Sequence, residues 1–120
     1  MSPSLTLTCR SAAQVTVIHV SGAVDSTTAP ELDDYITAHY PGECGPELVV
    51  DMGEVPFLDS SGLVVLIRAH GLARERGGDL HLAAVQSSPA FLLALTGARE
   101  AIRVHDDVEA ALEAITASRT

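Results

Sequence analysis

The 120-residue chain reads as an α/β fold: a mixed sheet of four to five strands, with a parallel core and an antiparallel N-terminal β-hairpin, and about four helices. Three observations predict it. Two alternating, β-branched segments stand side by side at the start of the chain. From residue 22 onward, short apolar runs alternate with helix-type segments. Strands that are separated by a helix must mostly run parallel, because antiparallel neighbours are joined by short turns.

Residues 4–9 (SLTLTC) and 14–20 (QVTVIHV) are the hairpin strands, with RSAA between them and Gly22 closing the second. The segment AVDSTTAPELDDYITAHYPG offers cap-type hydroxyls at Thr27 and Thr28, an early proline, early acids and a Pro41-Gly42 stop. These signals predict a helix over 29–40. Residues 47–52 (ELVVDM) form a nearly continuous apolar run, suited to a strand covered on both faces. A second helix follows from FLDSSGLVVLIRAHGLARERG, ended by Gly77-Gly78, and DLHLAAV (79–85) is the next strand. Ser88-Pro89 opens a third helix that Gly97 stops near Thr96. AIRVH (101–105) is a last short strand, and DDVEAALEAIT is a final amphipathic helix with acids in its first turn.

Composition narrows the function. With 47% hydrophobic and 19% charged residues, the chain has enough apolar surface to bury a core, and its length suits one domain over 1–120. Sixteen acids against seven bases give a net charge of −9, which repels phosphate backbones and anionic headgroups. Nucleic acid and membrane are therefore not expected partners. No charged leader precedes an apolar core and no run is long enough to span a bilayer, so a soluble, cytoplasmic protein is expected. Cys9 and Cys44 match no zinc or redox spacing and read as free thiols. No Gly-x-Ser-x-Gly elbow, Walker loop or His-x-x-x-His pair is present, and the histidines at 19, 39, 70, 81 and 105 show no diagnostic spacing. The expectation is a non-catalytic protein with no metal and no cofactor.

On a helical wheel of about 100° per residue, Leu63, Leu66, Ile67, His70 and Ala73 of the second helix gather as a buried stripe. Ser61, Arg68 and Glu75 oppose them, flanked by Val64 on one side and by Val65 and Leu72 on the other. Those flanking apolars are either scattered surface residues or a docking face centred on Ser61. Asp59 or Ser60 supplies the N-cap, which leaves Ser61 free in a first turn whose N–H groups favour an anion. Gly62 keeps the approach to Ser61 open. Asp25 emerges after the second strand at the same sheet edge as Asp59, either as a loop acid that helps cap the first helix or as part of a site.

The segment LVVDMGEVPFLDSSGLVVLI resembles the signature of anti-sigma-factor antagonists of the STAS domain family, and VSGAVDSTTAPEL resembles that family's Gly-x-x-Asp segment. The resemblance covers nearly the whole chain. It implies a STAS-like fold with helices packed mainly on one face of the sheet. It also implies a partner switch: the unphosphorylated antagonist binds an anti-sigma factor that is a serine kinase and frees a sigma factor, phosphorylation releases the antagonist, and a serine phosphatase resets it. By position the phosphorylated serine is Ser61, with Ser60 as the alternative, and Asp25 is the partner-contacting acid. Together with the wheel, the expected partner surface comprises Asp25, Ser26, Thr27, Asp59, Ser60, Ser61 and Gly62, extended along the helix by Val64, Val65, Arg68 and Leu72. Ala23-Val24 departs from the bulkier or charged residues common in the family, which bears on which partner is bound. A monomer or weak dimer is expected. The rival reading is a STAS scaffold or a nucleotide- or lipid-sensing module that is never phosphorylated.

Overall fold

The computed structural model describes residues 4–42 and 44–119. Its elements are β1 (Thr6–Ala12), β2 (Val15–Ser21), α1 (Ala29–His39), β3 (Leu48–Glu54), α2 (Ser60–Glu75), β4 (Leu80–Ala83), α3 (Ser87–Thr96), α4 (Ala98–Ala101), β5 (Arg103–His105) and α5 (Val108–Ser118). The strands stand in chain order, β1-β2-β3-β4-β5, with β1 antiparallel to β2 and every other pair parallel. That is the mixed sheet with a parallel core and an N-terminal hairpin.

The hairpin turn differs from the expected RSAA. The chain reverses at Ala13 and Gln14, both at positive φ (53° and 62°), so Ser11 and Ala12 stay in the ladder opposite Thr16 and Val15. Such a two-residue turn matches the twist of the strands, but it normally advertises itself with Asn or Gly, and neither is present. A fifth helix, the single turn α4, was also not expected. Gly97, at φ 78°, ends α3 in the left-handed conformation and stands as the N-cap of α4.

Period-2 alternation splits the strands between two faces. Ile18, Val20, Leu48, Val50, Leu80 and Leu82 meet Leu32 and Ile36 of α1, Leu63 and Leu66 of α2, and Leu93 of α3 in the main core. Val15, Val17, Val49 and Ala83 point the other way and are covered by Ala111 and Ile115 of α5. Helices α1–α4 thus share one face, with α5 alone on the other. Cys9 and Cys44 are free thiols. Among the described residues no helix is long and apolar enough to cross a membrane.

Candidate functional site

Parallel pairing of β2 with β3 delivers the ends of both strands to one edge of the sheet. Beyond the regular ladder the two chains stay together through an isolated parallel bridge between Val24 and Leu58. The Val24 N–H donates to the Phe57 carbonyl at 2.9 Å, and the Asp59 N–H donates to the Val24 carbonyl at 3.1 Å. Asp25 and Asp59, the residues just past this bridge, therefore emerge side by side, as the sequence led us to expect.

Asp59 is the N-cap of α2. Its backbone is extended, and Oδ1 accepts the N–H groups of Ser61 at 2.9 Å and Gly62 at 3.2 Å. Ser60 is the first helical residue and is exposed, so of the two capping candidates it is Asp59 that caps. Ser61 follows, half-buried. Among the described residues neither serine hydroxyl has a hydrogen-bond partner. The cap also changes the electrostatics of the turn: the two N–H groups expected to receive an anion at Ser61 already serve the Asp59 carboxylate.

Gly62 has a different role from the one expected. It is buried, and a Cβ there would stand 2.4 Å from Leu58 Cδ1 and 2.7 Å from Val24 Cγ1. Only glycine lets the first turn of α2 settle onto the two bridge residues, so its contribution is packing rather than clear access to Ser61.

Asp25 organises the loop leading into α1. Its Oδ1 accepts the Thr27 hydroxyl at 2.6 Å, the Thr27 N–H at 2.9 Å and the Thr28 N–H at 3.1 Å. The Thr28 hydroxyl in turn donates to the Ala23 carbonyl at 2.8 Å. These donors, the Thr27 hydroxyl first, hold the Asp25 carboxyl below the ordinary carboxylate value. One oxygen carries this whole load, and among the described residues Oδ2 has no partner. Ser26 and Thr27 are exposed beside it. The acid is a loop fastener with one face left open.

Along α2 the structure corrects the wheel. Val65 is only 6% exposed and belongs to the core, and Leu72 is half-buried against it, so neither extends the open face. Ile67, expected in the buried stripe, is 49% exposed, and Val64 is 55% exposed. The buried arc consists of Gly62, Leu63, Val65, Leu66, Ala69 and Ala73, rotated from the expected one toward Val65. Arg68 is exposed but ion-paired across to Asp33 of α1 at 2.8 Å. The open face of the helix is therefore lined by Ser60, Val64, Ile67 and Gly71. Phe57 in the preceding loop and Phe91 and Leu95 on α3 are further exposed apolar residues that the sequence reading did not single out. Their signal was present, since large apolar side chains in a loop or on an amphipathic helix invite the question of what covers them.

Comparison with known proteins agrees with this fold. The STAS domain family model matches residues 7–111. The chain is 31% identical over 87 residues to an anti-sigma-B factor antagonist of Listeria monocytogenes, covering 72% of this chain and 75% of that protein. It superposes on the crystal structure of an anti-sigma factor antagonist from Mycobacterium paratuberculosis with a TM-score of 0.81 and 28% identity, over 97% of this chain and 95% of that one. The same fold recurs in the anti-sigma factor antagonist SpoIIAA in its unphosphorylated form, with a TM-score of 0.78 at 13% identity over 93% and 97% of the two chains. The chain belongs to the STAS domain family of anti-sigma-factor antagonists.

Proposed function

We propose that this protein is a phosphorylation-switched anti-sigma-factor antagonist. In its unmodified form it binds an anti-sigma factor with serine kinase activity and thereby frees a sigma factor. The kinase transfers phosphate to Ser61, with Ser60 as the lesser candidate, and the complex separates until a serine phosphatase restores the hydroxyl. The protein acts as substrate and ligand in this cycle and catalyses none of its steps.

The observation that carries the reading is the α2 turn. Asp59 caps the helix and is tied to the start of the Asp25 loop through Val24, Gly62 seats the helix on Val24 and Leu58, and the Ser61 hydroxyl is left unbonded. A phosphate there adds about −1.5 to −2 charges at neutral pH. It arrives next to the Asp59 carboxylate, which already holds two of the first-turn N–H groups, so the added charge is poorly neutralised within the turn. A partner fitted to a neutral hydroxyl beside Asp59 meets a bulky anion instead. Separation needs only a few kcal/mol, since about 1.4 kcal/mol is tenfold in affinity.

Calorimetric titration of the kinase that co-purifies with the chain tests this reading. Ser61→Ala should bind like the unmodified protein, while Ser61→Asp should keep its melting temperature and bind at least tenfold more weakly. Equal binding by the two variants would remove the switch.

A further inference from the structure

At the other edge of the sheet, away from the Ser61 turn, three metal-ligating side chains meet. Glu47 precedes β3, Asp79 precedes β4, and His81 is the second residue of β4. In register, β3 and β4 pair Leu48 with Leu80 and Val49 with His81, so residues more than thirty positions apart come together at the strand starts. One donor atom from each of Glu47, Asp79 and His81 lies within 4.8 Å of the others. His81 is 4% exposed, and the two carboxylates are mostly shielded, at 18% and 23%.

The imidazole is set as a metal ligand is set. His81 Nε2 lies 3.3 Å from Glu47 Oε1, long for a hydrogen bond to a carboxylate and close to the edge of a tetrahedron with bonds of about 2.0–2.1 Å to zinc. Its other nitrogen, Nδ1, is 2.9 Å from His105 Nε2, and the two rings are stacked with centroids 5.1 Å apart. Metal-bound histidines are likewise oriented by a hydrogen bond at the rear nitrogen, there usually to a carboxylate, carbonyl or water.

We infer that Glu47, Asp79 and His81 form a binding site for a divalent cation of the zinc class, with His105 as a positioning residue. Glu47 supplies the uncompensated negative charge, since Asp79 is already paired with Arg74 and Arg103. Without metal, His81 carries its proton on Nε2, toward Glu47, and accepts from His105 Nε2. When the metal takes Nε2, the His81 proton moves to Nδ1 and is donated to His105 Nε2, whose own proton moves to the far nitrogen of that ring. Both rings stay neutral. Arg74 at 3.0 Å and Arg103 at 3.8 Å orient the Asp79 carboxylate, and their charge holds the affinity below that of an all-anionic site. The cation would tie together the starts of β3 and β4, independently of the switch at Ser61.

The test is titration of the chelator-stripped chain with ZnCl2 by calorimetry near neutral pH, with ring-proton NMR of the histidines alongside. One equivalent should bind, raise the melting temperature and shift the His81 and His105 signals together. Glu47→Gln and Asp79→Asn keep the shape of the side chains and should each bind at least tenfold more weakly. His105→Ala should weaken binding by about 10- to 100-fold. The double variant Cys9→Ser/Cys44→Ser should bind like the wild type. Absence of binding at millimolar zinc, unmoved His81 and His105 signals, or binding that survives both carboxamide variants and vanishes with the cysteines would each overturn the assignment. If a carboxamide variant fails to fold, the wild-type ring shifts decide.

Discussion

The backbone N–H of Asp59 donates to the Val24 carbonyl at 3.1 Å, which makes the cap of α2 and the start of the Asp25 loop one hydrogen-bonded unit. Asp59→Ala removes the side-chain acceptor for the Ser61 and Gly62 N–H groups and should cost about 0.5–2 kcal/mol. Urea denaturation measures that loss. Amide NMR shifts should extend from the α2 turn to residues 24–28, and shifts confined to α2 would show that the two loops are independent.

Gly62→Ala should be worse than a helix-propensity argument suggests. Alanine is the better helix former, yet its Cβ would collide with Leu58 and Val24 at 2.4 and 2.7 Å. Overpacking of this kind costs about 1–3 kcal/mol. A thermal melt equal to or above that of the wild type would contradict the close seating of α2 on the bridge.

Val64 and Val65 are adjacent and chemically identical, and they should respond in opposite ways. Val64→Asp, at an exposed position, should stay within about 0.5 kcal/mol in stability while weakening association with the kinase partner. Val65→Asp would place an unpaired charge in the core, at a penalty of several kcal/mol. Circular dichroism melts of the two variants separate these outcomes, and similar melts would return Val65 to the open face.

The Asp25 loop should loosen in acid. Its carboxyl titrates below the ordinary value of 3.8 because the folded loop stabilises the charged form. The loop's hydrogen bonds are therefore fully present above that value and are lost as pH falls through the lower folded pKa. Thr27→Val removes the hydroxyl donor and should move the titration, followed by the Asp25 carboxyl carbon in NMR, back toward 3.8. A midpoint unmoved by this change would contradict the cause assigned here.

Asp25→Asn separates the acid's two roles. The amide oxygen can still accept from Thr27 and Thr28, while the negative charge at the open oxygen is gone. Kinase binding should weaken by more than the small drop in melting temperature that losing the charge-assisted part of the loop's hydrogen bonds brings. Binding equal to that of the wild type would leave Asp25 a loop fastener only.

The strands and long helices were legible because their signals are local: alternation in β2, Pro and Gly stops, and acids in the first turn of α5. The Asp25–Asp59 juxtaposition was legible too, since parallel strands bring their ends to one edge. The facing of α2 was not. Its wheel carries two apolar arcs that overlap at Leu63, Leu66 and Ala73, and a sequence cannot say whether Val65 or Ile67 meets the sheet; Val24 and Leu58 decide it by seating Gly62. The turn at Ala13-Gln14 lacks the glycine or asparagine that marks such turns. Glu47, Asp79 and His81 lie far apart along the chain, and only strand register assembles them.

Mapping of the phosphate tests the account most directly. The purified chain is incubated with its co-purifying kinase and ATP, digested, and fragmented in the mass spectrometer so that Ser60 and Ser61 are resolved. The account predicts one phosphate on Ser61, with none on the Ser61→Ala variant. Phosphate on Ser60 alone, or on neither serine, would contradict it.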